Sequence, residues 1–305
     1  MRNLLFVIFI ISFSCNATSK HNLGLNLETG KVYFQNYSME TKISQEIQGQ
    51  NIDMNMTAKS KIRYTVLQKG NGYYEMEVKY DNLIMEMQTP YGPMEFNSEK
   101  NDPNDIFSRI LSSMIKHSFE IKMNFNGTIS EVKNIDKLFE SVFEEFPNLP
   151  EMQKAQVETQ LLNAYGEKAF KGNFEMVTAI FPDSEVSVNE SWENQIQLEA
   201  GMSAKMNNKY TLTEYTKDYA VISGNSVTET ADKDAYIPVN GMPTRYDLSG
   251  TMISTIKIDS NTGWTIEANI NQDIGGNVEI KDNPNLPGGM IIPMKMKNSM
   301  VILDK

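Results

Sequence analysis

From Asn51 to Val66 the chain alternates. Ile52, Met54, Met56, Ala58, Ser60, Ile62, Tyr64 and Val66 take one parity; Asp53, Asn55, Thr57, Lys59, Lys61, Arg63 and Thr65 take the other. A period of two places the two sets on opposite faces of a β-strand. The preceding segment repeats the pattern with Tyr33, Tyr37, Met39, Ile43 and Ile47, and the following one with Tyr74, Met76, Val78 and Tyr80. A fold at Gln48–Asn51 sets Ile47 opposite Ile52, Ile43 opposite Met56 and Tyr37 opposite Ile62. A second fold at Gln68–Gly72 sets Tyr64 opposite Met76 and Ile62 opposite Val78. Parity shifts at Asp81-Asn82, as a bulge requires, and continues through Leu83, Met85 and Met87. The pattern predicts an antiparallel meander with one dry face and one wet face.

The period then changes. After Pro103, with Asn104 or Asp105 as N-cap, the residues Ile106, Phe107, Ile110, Leu111, Met114 and Ile115 form a helical stripe. Phe119–Val132 reads as a hairpin turning at Asn126-Gly127. Helical spacing returns at Leu138, Phe139, Val142, Phe143 and Phe146. A helix then begins with Pro150 at N1 and runs to about Leu162, and a shorter piece covers Glu167–Met176. From Trp192 to Leu212 the chain reads as one run of β period, bent at Gly201. Hairpins follow at Thr216–Asp218 and Asp259–Gly263, the latter pairing Ile258 with Trp264, Ile256 with Ile266 and Met252 with Ile270. Loops span Asp232–Pro243 and Asp282–Gly289, and Met294, Met296, Met300 and Ile302 read as a closing strand. Residues 59–78 parallel 205–224 at a constant offset of 146, and 121–129 parallel 256–266 at an offset near 135. The predicted fold class is therefore α+β: a large curved antiparallel sheet, built from two similar meanders and covered on its apolar face by a few helices.

The N-terminus changes where such a fold would work. Arg2 followed by the apolar run Leu4–Ile11 is too short to span a bilayer and has the form of a signal peptide. Cys15, the only cysteine, directly follows it. No intramolecular disulfide can form. Ser12-Phe13-Ser14-Cys15 resembles a bacterial lipobox, with Ser12 and Phe13 departing from its preferred residues; the competing reading is an ordinary secretory signal whose removal discards the cysteine. By this reading residues 1–14 are the signal, 15–22 a lipidated cysteine with its tether, and 23–305 one α+β domain. That domain divides into a β-rich half at 23–100, a helical insert with a hairpin at 103–178, and a second β-rich half at 188–305. The lipobox resemblance implies a membrane anchor through acylated Cys15, and the lack of an acidic run after it favours the periplasmic side of the outer membrane. A net charge of −11 argues against nucleic acid as a partner.

Catalytic patterns are missing. Of the two histidines, His21 falls in the tether and His117 at a helix end, neither at ligand spacing from another metal-binding residue. Gly201-Met202-Ser203 lacks the second glycine of a nucleophile elbow. Asp259–Gly263 lacks the glutamate of a calcium loop. Lys69–Gly72 lacks the Lys-Ser/Thr of a phosphate loop. No catalytic residue, metal site or cofactor is predicted.

Twenty methionines are the residual oddity, many of them on the inward parity. Either they fill a solid core, or their unbranched thioethers line a deformable apolar cavity. The second reading nominates Met54, Met56, Ile62, Tyr64, Met76, Met202 and Met206 as lining residues. The lipobox, LGLNLETGKVY at 23–33, the Met- and Thr-rich meander, the NGTI hairpin and the later WEN together resemble a group of uncharacterised Bacteroidetes-type lipoproteins assigned to a domain of unknown function. A looser resemblance runs to periplasmic lipoprotein carriers and lipid-binding lipoproteins, which implies a curved sheet lidded by helices. The expectation is a non-enzymatic cell-envelope lipoprotein that binds an apolar ligand, a lipid or a lipidated partner. The alternative is a structural or interaction lipoprotein with a solid core.

Overall fold

A computed structural model describes residues 19–305 except 90, 91, 101, 148, 149, 200–202, 240 and 285, and omits the side chains of 152, 153, 156 and 199. In chain order the elements are β1 (Lys20–His21), β2 (Val32–Ile47), β3 (Gln50–Lys69), β4 (Tyr73–Thr89), β5 (Gly92–Asn97), α1 (Ile106–Met114), β6 (Ser118–Asn124), β7 (Ile129–Lys133), α2 (Ile135–Glu144), α3 (Glu151–Tyr165) and α4 (Glu167–Thr178). There follow β8 (Val186–Ser187), β9 (Ser191–Glu199), β10 (Ser203–Tyr215), β11 (Tyr219–Thr230), β12 (Ile237–Val239), β13 (Met242–Asp259), β14 (Thr265–Ile280) and β15 (Met290–Leu303).

The alternation puts the expected side chains on the expected faces, but both leading hairpins are registered two residues away from the sequence reading. Ile47 pairs with Gln50, Ile43 with Met54 and Tyr37 with Ser60. The chain turns on two residues, Gln48 and Gly49, both with positive φ, so the loop is shorter than the four-residue fold assumed. In the next hairpin Val66 pairs with Met76 and Tyr64 with Val78, with Leu67 bulged out. A slip of two keeps every side chain on its face, so the dry and wet sides survive the correction. The Asp81 bulge is present between the Ile62–Tyr80 and Lys61–Asn82 pairs. At Asp259–Gly263 the pairs are Ile258–Thr265, Ile256–Ala268 and Met252–Gln272. The run from Trp192 to Leu212 is two strands, not one bent strand: β9 and β10 pair antiparallel with Trp192 opposite Tyr210. Gly201, expected to bend it, lies outside the described residues.

One sheet of 13 strands takes almost all the β structure, in the order β7-β6-β4-β3-β2-β15-β14-β13-β11-β10-β9, with β5 added on β4 and β12 on β13. The order repeats. Strands β2, β3, β4, β6 and β7 stand in the same sequence as β9, β10, β11, β13 and β14, and β15 joins the halves. Register repeats as well: Ile62–Tyr80 and Tyr64–Val78 correspond, at the offset of 146, to Asn208–Ser226 and Tyr210–Gly224. The bulged Leu67 matches the bulged Thr213. Backbone bonds tie Val66 to Gly30 and Lys31, and Leu212 to Asn189 and Glu190, in the same way.

The sheet is open and curls around α4. Laid flat, its principal path would be about 48 Å wide at ~4.8 Å per strand, whereas the 12 residues of α4 rise only about 18 Å. Yet α4 contacts β7 at one edge and β9 at the other. On the β7 side the Ile129 N–H donates to Glu175 Oε1 (2.6 Å) and Thr178 Oγ1 donates to the Gly127 carbonyl (2.8 Å). On the β9 side Trp192 Nε1 donates to the Ile180 carbonyl (2.9 Å). Gly127 has φ +83°, and a Cβ there would lie 1.7 Å from the Thr178 carbonyl oxygen, so only glycine permits this approach. An extended strap, residues 23–27, closes the lower end. Leu23, Leu25 and Leu27 are buried, the Leu25 N–H donates to Phe125 O, and the Asn26 N–H to Thr262 O. Lys20 and His21, read as tether, instead pair with Ser187 and Val186, and His21 stacks on Tyr215 with 3.6 Å between ring centres.

The four helices of the described residues fall close to their predicted places. Asp105 caps α1 by accepting from the Ser108 N–H. Pro150 stands at the N-cap of α3, one position before the predicted N1.

Candidate apolar binding site

The helices do not fill the concave face. Between sheet and helices lies a cavity of 210 Å³. Its floor comes from β2 (Tyr37, Met39), β3 (Ala58, Ser60, Ile62, Tyr64), β4 (Tyr80, Leu83), β13 (Met252), β14 (Ile270, Gln272) and β15 (Asn298, Met300). Tyr165 of α3 and Phe170, Asn173, Phe174 and Met176 of α4 form its roof. A second cavity of 350 Å³ lies beside it, between Met85 and Met87 of β4, Met94 and Phe96 of β5, Phe107, Ile110 and Leu111 of α1, and Gln160 and Leu161 of α3. Ala164 and Tyr165 border both. Ala164 is exposed, so this shared border lies at the protein surface. Taken together the two spaces fall in the ~300–1,000 Å³ range of small-molecule sites.

The roof is held by ring contacts. Phe174 lies against Tyr64 (5.1 Å between centres), Phe170 meets Phe119 edge-on (4.9 Å), and Tyr165 meets Tyr80 edge-on (6.1 Å). Those positions follow from α4's period, in which Phe170 and Phe174 are one turn apart and face the sheet together.

The walls are uncharged. Lys59 borders the first cavity but belongs to the outward parity of β3 and is exposed. Burial holds the phenols of Tyr37, Tyr64 and Tyr80 well above their usual range and pushes Tyr165 up to about 12. All four are neutral hydroxyls at physiological pH. Tyr37 donates to Gln35 Oε1, and Asn298 Nδ2 donates to Gln272 Oε1 (2.9 Å). Asn298 Oδ1 is buried with no hydrogen-bond partner among the described residues, and the buried Tyr64 hydroxyl faces that of Tyr37. An apolar chamber whose few polar groups are neutral suits a hydrocarbon chain bearing an uncharged polar group.

Of the residues nominated from sequence, Ile62 and Tyr64 line the first cavity. Met76 and Met206 are fully buried and line neither cavity; they pack the solid part of the core. Met54 and Met56 are half-buried on the inward face, nearer the β2–β3 turn than any cavity-lining residue of those strands. Met202 and Cys15 lie outside the described residues. Sequence reasoning missed Met94, Met176 and Met300, the tyrosines 37, 80 and 165, and the phenylalanines of α4. The aromatic pair at helical spacing was a signal, but nothing in it says which strands it would cover. Among the described residues no group of three His, Cys, Asp or Glu could hold a metal, and no helix is long and apolar enough to cross a membrane.

Comparison with known proteins places the chain in a family. The profile of DUF6263, a family of unknown function, matches residues 71–265, and the chain belongs to that family. No curated protein matches its sequence. Among solved structures it is similar to lipovitellin, with 10% identity and a TM-score of 0.48 over 92% of this chain; it spans 25% of the lipovitellin chain. It is also similar to an outer membrane channel from Pseudomonas putida F1 (7% identity, TM-score 0.26, 92% of this chain and 97% of the other). A third is the translocator domain of an autotransporter from Neisseria meningitidis (6%, 0.21, 92% and 90%).

Proposed function

We propose that this DUF6263 protein is a non-enzymatic binder of an apolar or amphiphilic small molecule, held between the concave sheet and the α3–α4 roof. We further propose that acyl chains on Cys15 tether it to the outer membrane, facing the periplasm. The observation that carries the binding reading is the pair of uncharged cavities meeting at Ala164 and Tyr165 beside solvent. Methionine suits such a chamber: Met39, Met85, Met87, Met94, Met176, Met252 and Met300 border it, and thioethers adjust their rotamers to guests of different shape. The anchor reading is supported by the short apolar run Leu4–Ile11 with Cys15 four residues beyond it.

The test is purification of the full chain from native membranes followed by mass spectrometry. Stoichiometric lipid released from the protein, and a mature mass beginning at acylated Cys15, are the expected results. A protein free of ligand speaks for the solid-core alternative; a mature chain beginning downstream of Cys15 removes the anchor.

A further inference from the structure

The duplicated halves of the sheet have diverged at equivalent inward positions. In the first half these are Ile62, Tyr80, Leu83 and Phe119, where the helices dock: Tyr80 meets Tyr165 and Phe119 meets Phe170. In the second half their register partners are Asn208, Ser226, Thr228 and Ser254. All four are small or polar, and all are buried, at 2%, 4%, 3% and 1% exposure. Asn208 Oδ1, Ser226 Oγ, Thr228 Oγ1 and Ser254 Oγ have no hydrogen-bond partner among the described residues, and neither does the buried Tyr210 hydroxyl beside them. Buried polar atoms are ordinarily paired, so five unpaired ones on adjacent strands need an explanation.

None of the five lines the first cavity; the patch adjoins it along the sheet, one strand pairing away, and a head group reaches it by parting the packing around Met206. Ser226 pairs with Met252 and Ser254 with Ile270, both of which line that cavity, and Gln272 and Asn298 extend the polar row across β14 and β15. The inner face of β9–β11 and β13–β15 holds no Asp, Glu, Lys, Arg or His at any described position. A buried phosphate or carboxylate would lose its hydration there with no cation to compensate, whereas hydroxyl, ester and amide groups would be matched by the free oxygens and the Tyr210 O–H.

We infer that the ligand is an amphiphile with an uncharged, hydroxyl- or carbonyl-bearing head, seated on Asn208, Tyr210, Ser226, Thr228 and Ser254, with its hydrocarbon tail in the methionine-lined cavities. This rests on the apolar-binder reading above and adds the head-group class. The test is calorimetric titration of the delipidated full chain with 1-monodecanoylglycerol, decanoate and decane at pH 8. The glyceride binds at least about tenfold tighter than decanoate. In the Ser226→Ala/Thr228→Val variant the glyceride loses about tenfold in affinity and decane binding is unchanged. Thr228→Ser, which keeps the hydroxyl, retains glyceride affinity, and near-UV circular dichroism checks that each variant is folded. Decane binding with no preference for the glyceride, or full glyceride affinity in the double variant, overturns the head-group assignment alone. Failure of all three probes to bind overturns it together with the reading it rests on.

Discussion

Tyr64 and Tyr210 occupy the same place in the two halves of the sheet, each fully buried on the concave face, but the Tyr64 hydroxyl faces that of Tyr37 whereas the Tyr210 hydroxyl has no partner among the described residues. Tyr64 is pressed under Phe174 of α4, while Tyr210 lies against Trp192 on the neighbouring strand. Deleting an unpaired buried hydroxyl removes a desolvated dipole and keeps the ring. Tyr210→Phe is therefore expected to leave ligand-free stability unchanged or raise it by up to about 1 kcal/mol, as read by thermal unfolding, while weakening binding of an uncharged amphiphile.

The junction between α4 and the β6–β7 hairpin depends on the absence of one Cβ. Gly127→Ala meets both a positive φ and the backbone of Thr178. It is expected to cost more than about 2 kcal/mol, and hydrogen exchange of the Thr178 and Ile129 amides should rise. Unchanged stability would mean that α4 is not wedged there.

Glu175 supplies a pH dependence with a definite sign. Its carboxylate is buried and accepts from the Ile129 N–H, and burial raises its pKa above the usual 4.5. A carboxyl with a raised folded-state pKa penalises folding as pH climbs from its unfolded value through the raised one; below the unfolded value the penalty is absent. Glu175→Gln keeps the acceptor and removes the charge, so its unfolding midpoint should equal or exceed wild type at pH 8 and fall less between pH 4 and pH 8. Glu175→Ala leaves the Ile129 N–H unpaired and should cost about 1–3 kcal/mol.

Tyr165 separates the two cavities. Tyr165→Ala is expected to join them, lowering stability by about 2–4 kcal/mol through lost packing and shifting the bound lipid toward longer chains in mass spectra. An unchanged chain-length distribution would show that the second cavity is not used.

The period-two alternation around Met54 and Tyr64 made the faces of the sheet legible, because parity is local and survives a register slip of two. The duplication was legible for the same reason, in the constant offset linking Tyr64 to Tyr210. The register itself was not, since it hinges on whether the chain turns over two residues at Gln48-Gly49 or over four. Among the nominated residues that the structure describes, cavity lining was legible at Ile62 and Tyr64. Met76 and Met206 share their parity and composition, yet whether an inward methionine borders a void or a neighbour depends on which strands α3 and α4 cover. That is decided by contacts such as Phe174 on Tyr64, far apart in sequence.

Ala164 borders both cavities from an exposed position, so a bulky residue there can take up cavity space without replacing a buried side chain. Wild type and Ala164→Trp, purified identically from native membranes, are to be compared by lipid mass spectrometry. Near-stoichiometric uncharged lipid in wild type and its loss from the folded variant are the results predicted here. Equal lipid in both proteins, or none in wild type, would contradict the assignment of these cavities as the binding site.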